Sequence, residues 1–306
     1  MSRMLNMKKL EPSIAALRLF SAIAQSGKLI RAARRLHISQ SGASHALSVL
    51  EAQLGASLFV RNHEGLELSE AGRRLLPYVQ GVLSNLEAVR EELSALANLQ
   101  SGTLRLASVP SLAATILPPL IREFSRRYPR IEVSLFEGTD NEVRDWLISG
   151  MAQVGFAALP VEAVQGEEVA RDEWLALVPE KEFRRKQELG LRELSRQKFF
   201  MSGGGCEWHI QQLFAGAGLA VPEHLMVRQL ATIQAMVAEN LGASLVPSLS
   251  LLHPLKGSRA LPLKPRRFRR IGLLRSPSAA RTPAVEAWIA LTKAQIGELV
   301  KRTARA

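Results

Sequence analysis

The sequence predicts a multidomain α/β chain: an N-terminal winged helix-turn-helix, a long linker helix and an α/β module of two subdomains. Three patterns predict it. Apolar residues spaced by three and four mark short helices between residues 13 and 68, a heptad row runs from Leu75 to Leu96, and strand and helix signals alternate from residue 103 onward. The 306 residues suffice for two or three domains, and 47% apolar residues supply their cores, which excludes fibrous and wholly disordered chains. A single cysteine closes no intrachain disulfide, so no oxidising compartment is needed and a cytoplasmic setting is expected. No stretch approaches about 18 uninterrupted apolar residues, and the first residues carry Arg3, Lys8 and Lys9 with no apolar segment behind them. Neither a membrane span nor an export signal is expected.

In the first part, Leu17, Phe20 and Ile23, then Ala32, Ala33 and Leu36, then Ala46, Leu47, Leu50 and Leu54 give each helix one buried face. Gly27 separates the first two helices and Gly55 follows the third, where a helix takes a left-handed terminating residue. Phe59-Val60-Arg61 and Leu66-Glu67-Leu68 alternate and are joined by Asn62, His63, Glu64 and Gly65, a small hairpin or wing. The second and third helices meet at a short turn, and the small alanines of the second let the third approach closely, which is helix-turn-helix architecture. Ser39 is placed to cap the third helix, which then exposes Gln40, Ser41, Ser44, His45 and Ser48 opposite Leu47 and Leu50. Glutamine pairs bidentately with adenine, serine tolerates any base, and His45 can donate to a phosphate or a purine acceptor. Arg31, Arg34, Arg35 and Arg61 are placed to meet phosphates. The alternative for such a polar stripe is an ordinary solvated helix face.

Val79, Val82, Leu86, Val89, Leu93 and Leu96 step by three and four, Leu75 extends the row backwards, and Gln100-Ser101-Gly102 ends it. One helix of roughly 30 residues, about 45 Å long, follows from a rise of 1.5 Å per residue. A lone helix would leave that seam wet, so self-association is expected; packing on the chain's own globular part is the alternative. Beyond it, Leu104-Arg105-Leu106-Ala107, an amphipathic stretch from Ser111 to Tyr128, Ile131 to Phe136, a helix at Asn141 to Ser149 and Val154 to Ala157 alternate as strand and helix. That order implies a parallel sheet with helices on its faces. It continues through Leu175 to Val178, Lys198 to Met201, a helix around Trp208 to Ala215, and Leu245-Val246, so two α/β units with a ligand-binding cleft between them are expected.

The stretches L-R-L-F-S-A-I-A-Q-S-G, R-A-A-R-R-L-H-I-S-Q-S, S-H-A-L-S-V-L-E-A-Q-L-G-A-S-L-F-V-R and L-S-E-A-G, with L-P-P-L-I-R-E-F-S-R-R-Y-P-R-I-E-V and V-A-E-N-L-G-A-S-L-V-P later in the chain, resemble the LysR-type transcriptional regulators over nearly its whole length. The resemblance implies a winged helix at residues 1–68, a dimerising linker helix at 69–102 and an effector domain like a periplasmic binding protein at 103–306. Within that domain, subdomain I would hold residues 103–171 and 270–306, and subdomain II residues 172–269. It further implies promoter DNA as partner, dimers or tetramers, possible contact with RNA polymerase, and a small, often anionic, effector. Carried residue by residue, the DNA contacts are Gln40, Ser41, Ser44 and His45 on the recognition helix and Arg61 in the wing. The effector contacts are Ser111 and Thr139 at helix N-termini, with the opposite wall from Ser202 to Gly205 and from the turn between Ser244 and Pro247. Hydroxyls and free N–H groups there suit a carboxylate, although the same residues serve equally as helix caps. Gly203-Gly204-Gly205 reads either as an anion-binding nest or as a flexible connection. The chain departs from the family in having Gly27-Lys28-Leu29 where a serine usually caps the second helix, and serine at position 41, often proline.

Peroxide-sensing members of that family carry a reactive cysteine near Cys206 but use a second cysteine, which this chain lacks. A single-thiol redox or electrophile sensor is therefore one alternative, opposed by an inert cysteine. A receptor or α/β enzyme fused to a DNA-binding module is a weaker one. The six histidines show no metal-ligand spacing, no nucleophile elbow or phosphate loop appears, and Glu207 and His209, two apart, are not expected to share a helix face. No enzyme, cofactor or metal is expected. The net charge of +12 divides as +6 over residues 1–75, −5 over 76–254 and +11 over 255–306. Lys264, Arg266, Arg267, Arg269 and Arg270 make the densest basic run, read either as a solvated strand and hinge or as an attractor of an anionic effector or flanking DNA.

Overall fold

A computed structural model describes residues 11–62, 65–97, 102–251, 256–277, 279 and 281–303. His63, Glu64, Gln100, Ser101 and His253 lie outside these, as do the side chains of Leu93 and Leu96. The chain forms two compact units, one within residues up to Arg90 and the other holding nearly all the rest.

The first unit contains α1 (Ile14–Ser26), α2 (Leu29–Arg35), α3 (Gln40–Leu54), β1 (Phe59–Asn62), β2 (Gly65–Leu68) and the start of α4 (Glu70–Ala97). Serine hydroxyls begin three of the helices: Ser13 accepts from the Ala16 N–H, Ser39 from Gly42 and Ser69 from Gly72. Gly27 and Gly55, at φ 64° and 69°, end α1 and α3 in the left-handed conformation. Lys28 stands before α2 without a side-chain cap, and α2 runs for only seven residues. Their shared core gathers Leu19, Phe20, Ile23, Ala32, Ala33, Ala43, Leu50, Leu58 and Phe59. The rings of Phe20 and Phe59 lie 5.4 Å apart and tie the helices to the wing.

The heptad row of α4 does not form one uniform seam. Val79 is buried in the winged-helix core with Leu75, Leu76 and Leu83 at its margin, whereas Val82, Val89 and the neighbouring Tyr78 are exposed. At about 100° per residue Val82 lies about 60° round the helix from Val79, so one edge of the row faces its own domain while the other turns outward.

The second unit begins with β3 (Gly102–Ser108), α5 (Pro110–Thr115), α6 (Leu117–Arg127), β4 (Ile131–Glu137), α7 (Asp140–Ile148), β5 (Val154–Ala158) and β6 (Gly166–Pro179). There follow α8 (Glu180–Phe183), β7 (Leu189–Gly190), α9 (Leu191–Leu194), β8 (Phe199–Ser202), α10 (Glu207–Gly216), β9 (His224–Val227), α11 (Leu230–Ala238), β10 (Ala243–Pro247), β11 (Ser258–Lys264), β12 (Phe268–Arg275) and α12 (Pro283–Thr303). The amphipathic stretch from Ser111 to Tyr128 is two helices, broken at Ile116, because Pro118 and Pro119 have no N–H to continue α5.

The sheet order is β4-β3-β5-β12-β6-β10-β8-β9, with β11 also on β6 and β7 on β11. Its pairing corrects the expected parallel sheet. β4-β3-β5 and β10-β8-β9 are parallel, whereas β6 and β12 run antiparallel to their neighbours. The mixed pairing follows from connectivity: β6 carries the chain out of one half of the sheet, and β11 and β12 carry it back. The 14-residue β6 pairs with β12 as far as Glu173 and with β10 and β11 from Trp174 onward. Each half has its own core, with Leu106, Phe124, Phe156 and Trp288 in one and Trp174, Phe199, Phe214 and Leu245 in the other. Two cores joined by crossing strands make a hinge, and the ends of α7 and α10 meet beside it.

Candidate functional site

Two sites emerge, one in each unit. In the first, α3 exposes Gln40, Ser41, Ser44, His45 and Ser48 while Ala43 and Leu50 are buried. The Ser39 cap fixes the start of that face, so the polar groups project from the first three turns. Ala32 and Ala33, at 0% and 2% exposure, leave no room for a larger side chain where α2 faces the core. Arg31, Arg34, Arg35 and Arg61 are exposed, and the Arg35 guanidinium donates to Gln25 Oε1 at 2.6 Å, which orients it against α1. An exposed face of short hydrogen-bonding groups flanked by guanidiniums is what groove readout and phosphate contact require.

The second site is a cavity of about 670 Å³ in the second unit, lined by Thr139, Asp140, Asn141 and Arg144 of α7 and its cap, Ala158 at the end of β5 with Pro160, Val161 and Glu162 after it, and Gly205 before α10 with Glu207, Trp208 and His209 in its first turn. At its floor the two halves touch. His209 Nε2 lies 3.1 Å from Asp140 Oδ2, and Asp140 Oδ1 accepts the Ala158 N–H at 2.8 Å. Gly205 has φ +102°, and a Cβ there would come within 3.1 Å of Thr139 Cα, so this position needs glycine both for its backbone and for the approach of Thr139. A close seat, rather than a nest or a loose connection, accounts for the last of the three glycines.

Behind the cavity a buried polar network crosses the hinge. Arg269 on β12 stands opposite Asp172 on β6, their ion pair is 2.6 Å long, and their side chains are 5% and 0% exposed. Asp172 Oδ1 also accepts from the Ser248 hydroxyl and the Leu249 N–H, while Arg269 donates to the Ser111 hydroxyl at 2.5 Å and lies 5.9 Å from the Trp174 ring. Each half of the sheet is thereby tied to the hinge by hydrogen bonds to a charged group, the stronger kind.

Residues 14–73 match the family model of the bacterial regulatory helix-turn-helix proteins of the lysR family, and residues 97–297 match the LysR substrate binding domain. The chain belongs to the LysR family of transcriptional regulators. The probable regulator LrrA of Synechococcus elongatus is 31% identical over 90% of this chain and 95% of its own length. Among solved structures, full-length OxyR from Pseudomonas aeruginosa is 25% identical, with a TM-score of 0.66 over 92% of this chain and 98% of that one. CbnR in complex with its target DNA shares the fold at 23% identity, with a TM-score of 0.64 over 95% of this chain and 99% of that one.

Of the six residues expected at the effector site of this LysR-family fold, Thr139 is the one that lines this cavity. Its hydroxyl and N–H are engaged with Glu142 in a capping box. The Ser111 hydroxyl is taken by Arg269. Ser202 is buried at the end of β8, and Gly203 donates its N–H to the Val227 carbonyl. Ser244 is wholly buried and donates to the Phe200 carbonyl, and Pro247 is buried where β10 ends. Period-two alternation turns Ser244 into the sheet interior, so it lies off the cavity lining.

Glu207 and His209 both line the cavity although residues two apart do not share a helix face, because the cavity wraps around the first turn of α10. Asp140, Arg144, Glu162 and Trp208 join them without a sequence motif to mark them. The basic run also resolves. Lys264 pairs with Glu188, Arg266 with Glu173, Arg269 with Asp172 and Arg270 with Glu168, so most of its charge is matched along the crossing strands.

Cys206 begins α10 beside this network, and burial pushes its thiol up to about 11; Arg269 and the Ser202 hydrogen bond oppose the shift, and Asp140 and Asp172 add to it. On the order of one thiol in ten thousand is then ionised at pH 7. Alkylation of Cys206 by iodoacetamide is expected to be slow at neutral pH and to rise about tenfold per pH unit until near 11; a rate that levels off below pH 9 overturns this. Among the described residues no group of three or more histidine, cysteine or acidic side chains is arranged to hold a metal, and no helix is long and apolar enough to cross a membrane.

Proposed function

We propose that this LysR-family regulator reads promoter DNA through Gln40, Ser41, Ser44 and His45, with Arg34, Arg35 and Arg61 on phosphates, and that a small molecule held in the cavity of the second unit sets its output. The observation that carries the DNA assignment is the capped start of α3, which fixes those four side chains on one exposed face. The solved complex of CbnR with its target DNA supports the same partner class. His45→Ala is expected to weaken specific binding by about 1–3 kcal/mol and to relax preference at one operator position. Arg61→Ala is expected to weaken binding uniformly and to lower the salt slope by about one. A mobility-shift series in which His45→Ala leaves both affinity and sequence preference unchanged overturns the assignment.

Dimers or tetramers and contact with RNA polymerase belong to the same reading. The exposed Val82, Val89 and Tyr78 of α4 support self-association, since they leave apolar surface outward on a long helix. The site of action is the cytoplasm, where promoters are. The names of the relatives support a non-enzymatic role, and turnover of a bound metabolite would contradict it.

Ligand control follows from the hinge. A molecule that binds one relative orientation of the two halves better than another shifts the population toward it, and no other property of the ligand does so. The effector class expected from sequence, a small anion, would draw on the guanidiniums of Arg144 on the lining and Arg269 behind it, and Asp145 and Asp172 already pair with them. The single-thiol sensor at Cys206 is disfavoured by a thiol that stays protonated at neutral pH.

A further inference from the structure

The charge of the cavity lining differs from what hydroxyls at helix ends imply. Asp140 is satisfied by His209 and by the Ala158 N–H. Arg144 is held by Asp145 at 2.9 Å and by Asn141 at 3.2 Å. Glu162 and Glu207 then remain, and neither carboxylate has a hydrogen-bond or ion-pair partner among the described residues. Beside Glu207 stands Trp208, 55% exposed, on the same lining. Pro160, Val161 and Ala158 give the remaining wall an apolar surface.

An anion entering this space meets two uncompensated carboxylates and no free cation from the lining. An ammonium group meets the reverse: opposite charge from two carboxylates, and an indole face whose quadrupole attracts cations. The apolar wall suits a short alkyl or aryl body, which gains from leaving water. We propose that the cavity between α7 and α10 takes a small amine, its ammonium placed by Glu162, Glu207 and the Trp208 indole and its body against Pro160 and Val161. The proposal rests on the cavity being the effector site, and it replaces the small anion as the ligand class.

Calorimetric titration of the full chain at constant ionic strength tests it with matched probes, phenethylamine against phenylacetate and diaminobutane against succinate. Each amine is expected to bind and each carboxylate not to. Glu162→Gln combined with Glu207→Gln is expected to weaken amine binding about tenfold or more. The double change to aspartate is expected to keep the preference for amines, and the melting curve of each free variant checks its fold. Carboxylates bound in preference, amine binding unmoved by the glutamine pair, or no amine binding overturns the proposal. Val161→Trp, which fills the cavity, separates that failure from failure of the site. If Val161→Trp abolishes the promoter's response to its inducing condition while amines fail to bind, only the ligand class falls. A response unchanged by Val161→Trp removes the cavity as the effector site as well.

Discussion

Arg269→Ala is expected to destabilise the second unit by about 3–5 kcal/mol, because it leaves the Asp172 carboxylate buried without its counter-charge. The size of the loss comes from the stranded partner, since an ion pair this deep gains little net energy over apolar side chains of similar volume. Asp172 retains its bonds from Ser248 and Leu249, and Ser111 loses its donor. Adding Asp172→Leu to Arg269→Met removes both charges and is expected to recover most of the stability lost in either single change. Urea denaturation of the two single variants and the double variant measures the coupling directly. Additive losses show that the pair does not act as one element across the hinge. The Ser111 hydroxyl, released from Arg269, would also gain freedom in the Arg269→Met background, so ligand titration belongs in the same experiment.

Phe20→Ala is expected to cost the first unit about 3–5 kcal/mol. Phe20 is wholly buried and its ring meets Phe59 of the wing, so truncation opens a cavity where three helices and the hairpin converge. A domain of this size has a net stability of only about 5–15 kcal/mol, so this loss takes from about a fifth to all of it and raises the unfolded fraction steeply. Operator binding should fall in parallel with the melting of this unit, without any change in the DNA-contacting side chains. Scanning calorimetry of the full chain, with mobility shifts at temperatures on either side of the lowered transition, reads both effects. Normal operator affinity above that transition would separate DNA binding from the integrity of this core.

The winged helix was legible because its determinants are local. Ser39, Gly27, Gly55 and the alanine pair at 32 and 33 act within a few residues of where they stand, and each holds its expected place in the structure. The strands at Gly102–Ser108, Ile131–Glu137 and Val154–Ala158 were legible for the same reason, as short apolar runs bounded by breakers. The cavity was not. Its lining comes from three separated segments, and Asp140 reaches His209 across 69 residues of chain. Nothing about an aspartate one residue into a helix distinguishes a cap from one end of a contact that closes a cleft. Thr139, Ser111 and Ser244 share the same hydroxyl chemistry, yet a capping glutamate, a buried guanidinium and the sheet interior claim them separately.

The basic run from Lys264 to Arg270 shows the boundary between the two kinds of information. The sequence by itself determined that the positive charge is concentrated near the end of the chain, that short helices and a wing fall between residues 13 and 68, and that strand and helix alternate after residue 103. Only the tertiary structure decided what that charge does, because Arg266, Arg269 and Arg270 meet Glu173, Asp172 and Glu168 of β6 and Lys264 meets Glu188, all more than 70 positions earlier. Caps, periodicity and turns depend on neighbours along the chain, which a sequence displays. The net charge felt by a ligand depends on which ion pairs are already made, and those are fixed by how distant segments pack.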